Sequence, residues 1–173
     1  MECSGGSAEA GKKVTAEWIA DLAPACVVDV GAGGGAYQRM IADLLPSCRV
    51  VAVEVFWQNA MRLKPAYAEM IIADVTWLDW RRVVAEYDPD LVIFGDILEH
   101  CTRVDAIRLV HTVVEHGMSV LISIPLGEWK QGEVEGNPFE RHLTTWTHQE
   151  IQAVFNPVRS AIDGPIGIYL VAP

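Results

Sequence analysis

Residues 26–35 read CVVDVGAGGG, and AYQRMIADLLP carries the chain on to Pro46. Val27 and Val28 belong to an apolar run suited to a buried parallel strand, with Asp29 at its carboxyl end. Gly31, Gly33 and Gly35 then alternate through a tight turn, with Ala32 between the first two. Tyr37, Met40, Ile41, Leu44 and Leu45 recur at helical spacing until Pro46 stops the run. Strand, glycine turn and helix in this order open a nucleotide-type site, because glycine lets the backbone approach a ligand and take positive φ. The acid two residues before the first glycine shifts that reading. A pyrophosphate at the helix N-terminus gains nothing from a carboxylate on the strand end. A ligand carrying an ammonium and a sulfonium does.

The chain has 173 residues, enough for one domain with a sizeable core. Its 23 Asp and Glu outnumber 13 Lys and Arg, giving a formal net charge of −10. Binding to a long phosphate backbone rests on clustered Lys and Arg, so no extended nucleic acid is expected as partner. Cys3, Cys26, Cys48 and Cys101 form no CxxC pair, and reduced thiols in a cytoplasmic protein are the expectation. No apolar run reaches membrane-spanning length, and the first residues lack a hydrophobic signal core, so neither membrane nor export is expected.

Outward from the glycine turn, strands and helices alternate. Residues 1–7 read as a flexible tail and residues 8–173 as a single domain. Ala8 to Leu22 carries a helical stripe of Val14, Trp18, Ile19 and Leu22, ended by Pro24. Further strands are expected over Arg49–Val55, Glu69–Val75, Leu91–Ile97 and Ser119–Pro125. Helices are expected over Phe56–Leu63 and Trp77–Glu86, then from a Thr102/Asp105 cap to Gly117, and from a Thr147/Glu150 capping box to Asn156. The end of the chain reads as a hairpin about Gly164-Pro165. Such alternation predicts an α/β fold, a parallel sheet covered on both faces, with ligands at the carboxyl ends of the strands.

Each of the first four strands ends in an acid: Asp29, Glu54, Asp74 and Asp96. Parallel strands bring all four to one edge of the sheet. This pattern resembles the class I S-adenosylmethionine-dependent methyltransferases of small-molecule type, over nearly the whole chain. The resemblance implies a Rossmann-like three-layer sandwich with a seven-stranded, mostly parallel sheet of order 3-2-1-4-5-7-6. It implies that Asp29, Gly31, Ala32, Gly33 and Gly35 hold the methionine end of S-adenosyl-L-methionine. Glu54 would take the ribose hydroxyls and Val55 pack on adenine, while Asp74 and Val75 read the adenine edge. The stretch GDILEH, Gly95 to His100, is similar to that family's fourth motif and adds Asp96 to the cofactor residues. A carboxylate suits these tasks, since it accepts paired bonds from a diol or an ammonium. The implied activity is methyl transfer to oxygen or nitrogen of a small-molecule acceptor.

Two other classes stay open. Gly31, Gly33 and Ala36 satisfy the loose G-x-G-x-x-[GA] rule of NAD(P)-binding oxidoreductases, and Glu54 lies at about the ribose-binding distance. A non-catalytic S-adenosylmethionine-binding protein is the other. On the acceptor side, Asp96, Glu99 and His100 follow the fourth strand, and the long loop after the fifth reads NPFERHLTTWTH. His142 is the expected partner of His100 across the pocket mouth. Either His100 is a general base oriented by Glu99 and His142, or Asp96, Glu99, His100 and His142 bind a divalent metal. The second arrangement is similar to the metal site of small-RNA 2′-O-methyltransferases and ubiquinone O-methyltransferases, with Asp96 where those have Glu. His111, His116 and His148 receive no role. Trp57, Trp77 and Trp80 are expected in core or lid packing, and Trp129 and Trp146 are expected to bracket the loop and wall a planar substrate.

Overall fold

The computed structural model describes residues 9–173. The expected tail, and Ala8 at the expected start of the first helix, lie outside the described residues. Seven strands, β1 (Cys26–Val30), β2 (Arg49–Glu54), β3 (Glu69–Ile72), β4 (Leu91–Gly95), β5 (Ser119–Pro125), β6 (Arg159–Asp163) and β7 (Ile166–Val171), form one sheet of order β3-β2-β1-β4-β5-β7-β6. The first five run parallel, and β7 lies antiparallel to both β5 and β6. This is the expected order.

The central strands β1, β4 and β5 read as largely apolar runs because both faces are covered. Side chains alternate across a strand, so Val28, Val51, Val92 and Ile122 share one core with Trp80, Leu109 and Ile151. These three come from α4 (Trp80–Tyr87), α5 (Arg103–Glu115) and α6 (His148–Phe155). Val27, Ala52, Ile93 and Leu121 face the other way, onto Ile19, Ile41 and Ala60. Those belong to α1 (Lys12–Leu22), α2 (Ala36–Leu44) and α3 (Trp57–Leu63). Caps set the helix ends. Thr102 accepts from the Asp105 N–H, and Thr147 and Glu150 complete the expected capping box. The Asp163 carboxylate of the closing hairpin accepts from Gly11 N–H at 2.8 Å, where α1 begins.

Several elements are shorter than the sequence pattern predicts, and the reasons are local. β3 stops at Ile72 rather than Val75 because Asp74 accepts from both the backbone N–H and the hydroxyl of Thr76, pulling Val75–Trp77 into a tight helical turn. α4 therefore starts at Trp80, not Trp77, behind Asp79, which accepts from Arg81 N–H. β4 stops at Gly95 rather than Ile97 because Asp96 turns to φ +56. β2 ends at Glu54. Each shortening falls at the carboxyl edge of the sheet, where the chain must turn around a cleft.

Candidate functional site

A cleft of about 1030 Å³ opens over the carboxyl ends of the parallel strands. Its floor is the glycine turn. Gly31 sits at φ +68, and a β-carbon there would collide with Ile97. Gly95 admits no side chain because the Tyr37 ring lies on it. Glu54, 4% exposed, accepts from Gly33 N–H (2.9 Å) and Phe56 N–H (2.8 Å), one bond to each oxygen. The acid that ends β2 thereby fixes the turn after β1, and each oxygen keeps a lone pair for a further donor.

The strand-end acids divide into two groups. Glu54, Asp74 and Asp96 line the cleft, together with Gly31, Ala32, Gly33, Val55 and Val75. Asp29 and Gly35 stand behind the wall. Asp29 is 1% exposed and accepts from the Tyr67 hydroxyl at 2.7 Å, while its Oδ1 has no hydrogen-bond partner. Burial pushes its carboxyl up to about 7, against the Tyr67 bond and the Lys12 ammonium, which favour the charged form. Asp29 thus supports the turn from beneath. Asp96 holds a left-handed backbone conformation uncommon for a residue with a β-carbon, of the kind that persists at functional sites.

Sequence reasoning missed two contributors. Lys12, in the first turn of α1, lies 4.0 Å over the Tyr37 ring. Burial lowers its pKa, and Asp96 and Asp29 act in the opposite sense, so the ammonium stands near two of the strand-end acids. Glu140, on the loop after β5, lines the same cleft, its carboxyl raised by burial and then by Glu54. A lysine at a helix start and an acid in a polar loop carry no signal in the sequence pattern.

On the acceptor side the structure unites Glu99, His100 and His142. One ligand atom from each lies within 4.8 Å of the others. The two imidazoles meet edge to face with centroids 4.8 Å apart. His100 Nδ1 lies 3.2 Å from the Arg141 carbonyl oxygen, and His142 Nδ1 2.7 Å from that of Trp129. Glu99 is 2% exposed, and its Oε2 has no hydrogen-bond partner. Burial, then Asp96, holds its carboxyl well above the usual range, and burial lowers His100. Leu143 and Thr144 N–H donate to the Glu99 carbonyl at 2.8 and 3.1 Å, which ties the loop to the turn after β4. Asp96 lines the cleft but stands outside the cluster, so three of the four expected metal-site residues come together.

The tryptophans sort differently from expectation. Trp129 lines the cleft. Trp146 is fully buried, tilted against Phe155 and under the Arg103 guanidinium, so it is core and walls nothing. Trp57 and Trp77 are 61% and 85% exposed, and only Trp80 of that trio is packed inside. His148 Nδ1 lies 2.9 Å from the Tyr169 hydroxyl and His116 Nδ1 2.7 Å from the Thr112 carbonyl oxygen, both away from the cleft. Cys26, Cys48 and Cys101 are free thiols. Among the described residues no helix is long and apolar enough to cross a membrane.

The sequence matches no family model and no curated protein. Solved structures do match. Mitomycin 7-O-methyltransferase aligns with a TM-score of 0.63 at 16% identity, over 92% of this chain and 54% of that one. The 1,6-didemethyltoxoflavin-N1-methyltransferase of Burkholderia thailandensis, solved with its acceptor and S-adenosylhomocysteine, aligns at 0.65 and 19% identity over 93% and 76%. The chain has their fold. It spans about half the length of the mitomycin enzyme. A Rhodobacter sphaeroides chain named for the zinc-dependent alcohol dehydrogenases aligns at 0.71 and 11% identity over 98% and 92%. At such identities likeness concerns the fold alone. The chemistry has to be argued from the cleft.

Proposed function

We propose that the protein is an S-adenosylmethionine-dependent methyltransferase acting on a small-molecule acceptor. One observation carries the reading: the glycine turn, Glu54, Asp74 and Asp96 all line a single cleft, with Lys12 near Asp96. Glu54 would accept from the ribose diol, Val55 and Val75 would flank adenine, and Asp74 would accept from its amino group. Lys12 and Asp96 would meet the carboxylate and ammonium of the methionine end. Gly31 and Gly33 let the backbone approach closely there.

Transfer is a one-step displacement. An acceptor lone pair forms the new bond to the methyl carbon while the sulfur–carbon bond breaks, its electron pair staying on sulfur. The acceptor loses one proton. The protein mainly aligns the partners and excludes water, and alignment is worth roughly 7–11 kcal/mol. The acceptor would enter beside Glu99, His100 and His142 under the loop after β5. Small acceptors suit a cleft of about 1030 Å³ that the cofactor partly fills.

The dinucleotide reading is disfavoured by topology. Dinucleotide sheets follow the order 3-2-1-4-5-6, whereas β7 is inserted here between β5 and β6 and runs antiparallel. A binding protein without turnover leaves the Glu99, His100 and His142 cluster without a task. Titration calorimetry tests the proposal. S-adenosylmethionine and S-adenosylhomocysteine should bind and NAD should not, and the reverse result refutes it. Glu54→Gln should weaken cofactor binding by about 1.5–3 kcal/mol, the worth of charge-assisted bonds. His100→Ala should lower turnover and leave cofactor affinity nearly intact.

A further inference from the structure

We propose that Glu99, His100 and His142 recognise a primary ammonium group, so that the acceptor is a small molecule carrying an amine. That the amine belongs to the acceptor rests on the methyl-transfer reading; the binding of an ammonium does not. Three features of this end of the cleft point to such a group. The first is an orphaned oxygen. Glu99 lines the cleft and is 2% exposed, yet its Oε2 has no hydrogen-bond partner, and such an atom in a folded protein calls for an explanation. The second is the placing of the imidazole hydrogens. The Arg141 and Trp129 carbonyls can only accept, so each Nδ1 opposite them carries the hydrogen. Each Nε2 is then an acceptor, and three acceptors suit a group that brings three N–H bonds and no lone pair. The third is spacing. Charge-assisted bonds of about 2.7–3.0 Å, set tetrahedrally round one nitrogen, hold their acceptors about 4.4–4.9 Å apart. One polar atom from each of the three side chains lies within 4.8 Å of the others.

Charge and shape around the three agree. Glu140 precedes His142 by two residues, and its carboxylate accepts from Asn137 Nδ2 at 3.3 Å and from Gln131 Nε2 at 3.5 Å. Its charge acts on Glu99 and, with burial and Asp96, helps Glu99 keep a proton. An ammonium beside Glu99 supplies the missing positive charge and lets that proton leave. Arg141, the cation next to Glu140 in the chain, is paired with Glu133 at 3.2 Å. Trp129 and Phe139 also line the cleft and remain 44% and 47% exposed. Their rings can cover the apolar remainder of an amine and attract its charge.

An ammonium held by three bonds has no lone pair to offer. It anchors the acceptor and does not attack the methyl carbon; the nucleophile is another atom of the same molecule. The anchor also joins two elements. Glu99 and His100 share the turn after β4, whereas His142 comes from the loop after β5, which the Leu143 and Thr144 amides tie to the Glu99 carbonyl. A bound ammonium adds a bond across that junction, so the group that positions the acceptor also holds the loop over it.

The test uses the full chain in chelator at neutral pH, where benzylamine is protonated. S-adenosylhomocysteine is titrated first by calorimetry and then kept saturating, so that the cofactor's own ammonium occupies its place. Benzylamine, benzyl alcohol and benzyltrimethylammonium are then titrated and followed by ligand-observed NMR. Benzylamine should bind at least about tenfold more tightly than either, because the alcohol lacks the charge and the quaternary ion lacks the N–H donors. Its affinity should fall at least about tenfold in Glu99→Gln and in His142→Ala. Should the buried Glu99→Gln fail to fold, His142→Ala decides, since His142 lies on a surface loop. No saturable benzylamine binding in a chain that binds S-adenosylhomocysteine overturns the site. So does equal affinity for the alcohol. Equal affinity for the quaternary ion overturns it too, because the acidic cleft alone then accounts for the attraction. Benzylamine affinity unchanged in a folded His142→Ala variant also overturns it. Selective benzylamine binding in a chain with no affinity for S-adenosylhomocysteine upholds the ammonium site and overturns the methyltransferase reading.

Discussion

Asp29 shows how one residue links the sequence motif to stability. Its carboxyl lies under the glycine turn, faced by Tyr67, Lys12 and Glu54, and burial is the largest influence on it. Folded, it titrates at about 7 against an ordinary 3.8. Between those values the folded protein keeps a proton that the unfolded chain has released. The native state therefore binds more protons, and this residue's contribution to stability falls as pH rises from about 4 to about 7. Three units correspond to a ceiling of about 4 kcal/mol. Asp29→Asn keeps an oxygen for the Tyr67 hydroxyl and removes the ionisation. Its melting temperature relative to wild type should rise steadily with pH across that window. A difference that stays flat, or that falls, would show that Asp29 is ionised in the folded protein throughout. Asp29 was legible in the sequence as an acid before a glycine turn. Its position behind the cleft wall was not, because that depends on Tyr67, 38 residues away.

Among the elements, the most legible were those with a local signature. β5 runs from Ser119 to Pro125 as the apolar pattern requires, and the Thr147/Glu150 box starts α6. Apolar patterning overran β3 and β4 because it cannot register where an acid bends the chain, as Asp74 and Asp96 do. The loop between β5 and α6 was legible only as too long for a connector. The structure pins its ends: Leu126 N–H donates to Pro165 and Gly127 N–H to Trp146, while Leu143 and Thr144 donate to Glu99. The stretch between carries exposed Glu128, Trp129 and Lys130 and surface pairs such as Arg141 with Glu133, which hold loops weakly. Hydrogen exchange should accordingly be slow at Gly127, Leu143 and Thr144 in the free protein. It should be fast over residues 128–136 and slow there on addition of S-adenosylhomocysteine with acceptor. Rapid exchange at Leu143 and Thr144 would mean that the His100 and His142 pairing does not persist in solution. Uniform protection of residues 128–136 without ligand would rule out a lid.

The whole molecule carries its charge into the cleft. A net −10 spread evenly would steer little. Yet Glu9, Glu54, Asp74, Asp96, Asp105, Glu133 and Glu140 line the cavity, against Arg39 and Arg141. Arg141 is paired with Glu133, and Arg39 donates to the Gly34 carbonyl at 2.7 Å. Glu54, Asp74 and Asp96 belong to the proposed cofactor end, where a sulfonium and an ammonium offset them. Glu133 and Glu140 lie on the acceptor loop with no such partner from the cofactor. Low-dielectric walls lined by one sign of charge focus its potential. An acceptor phosphate would meet that potential with little guanidinium left to receive it, and opposed like charges cost several kcal/mol. Matched acceptor pairs, each a neutral or cationic compound and its phosphorylated counterpart, should therefore differ in kcat/KM by at least about tenfold in favour of the first. Added salt should narrow the gap by screening the exposed carboxylates, since the Debye length falls from about 10 Å at 0.1 M to about 3 Å at 1 M. Labelled-cofactor assays at two ionic strengths read both effects. Preference for the phosphorylated member would place the acceptor against Arg141 instead. A gap that does not respond to salt would trace the selectivity to shape and not to the field of the cleft.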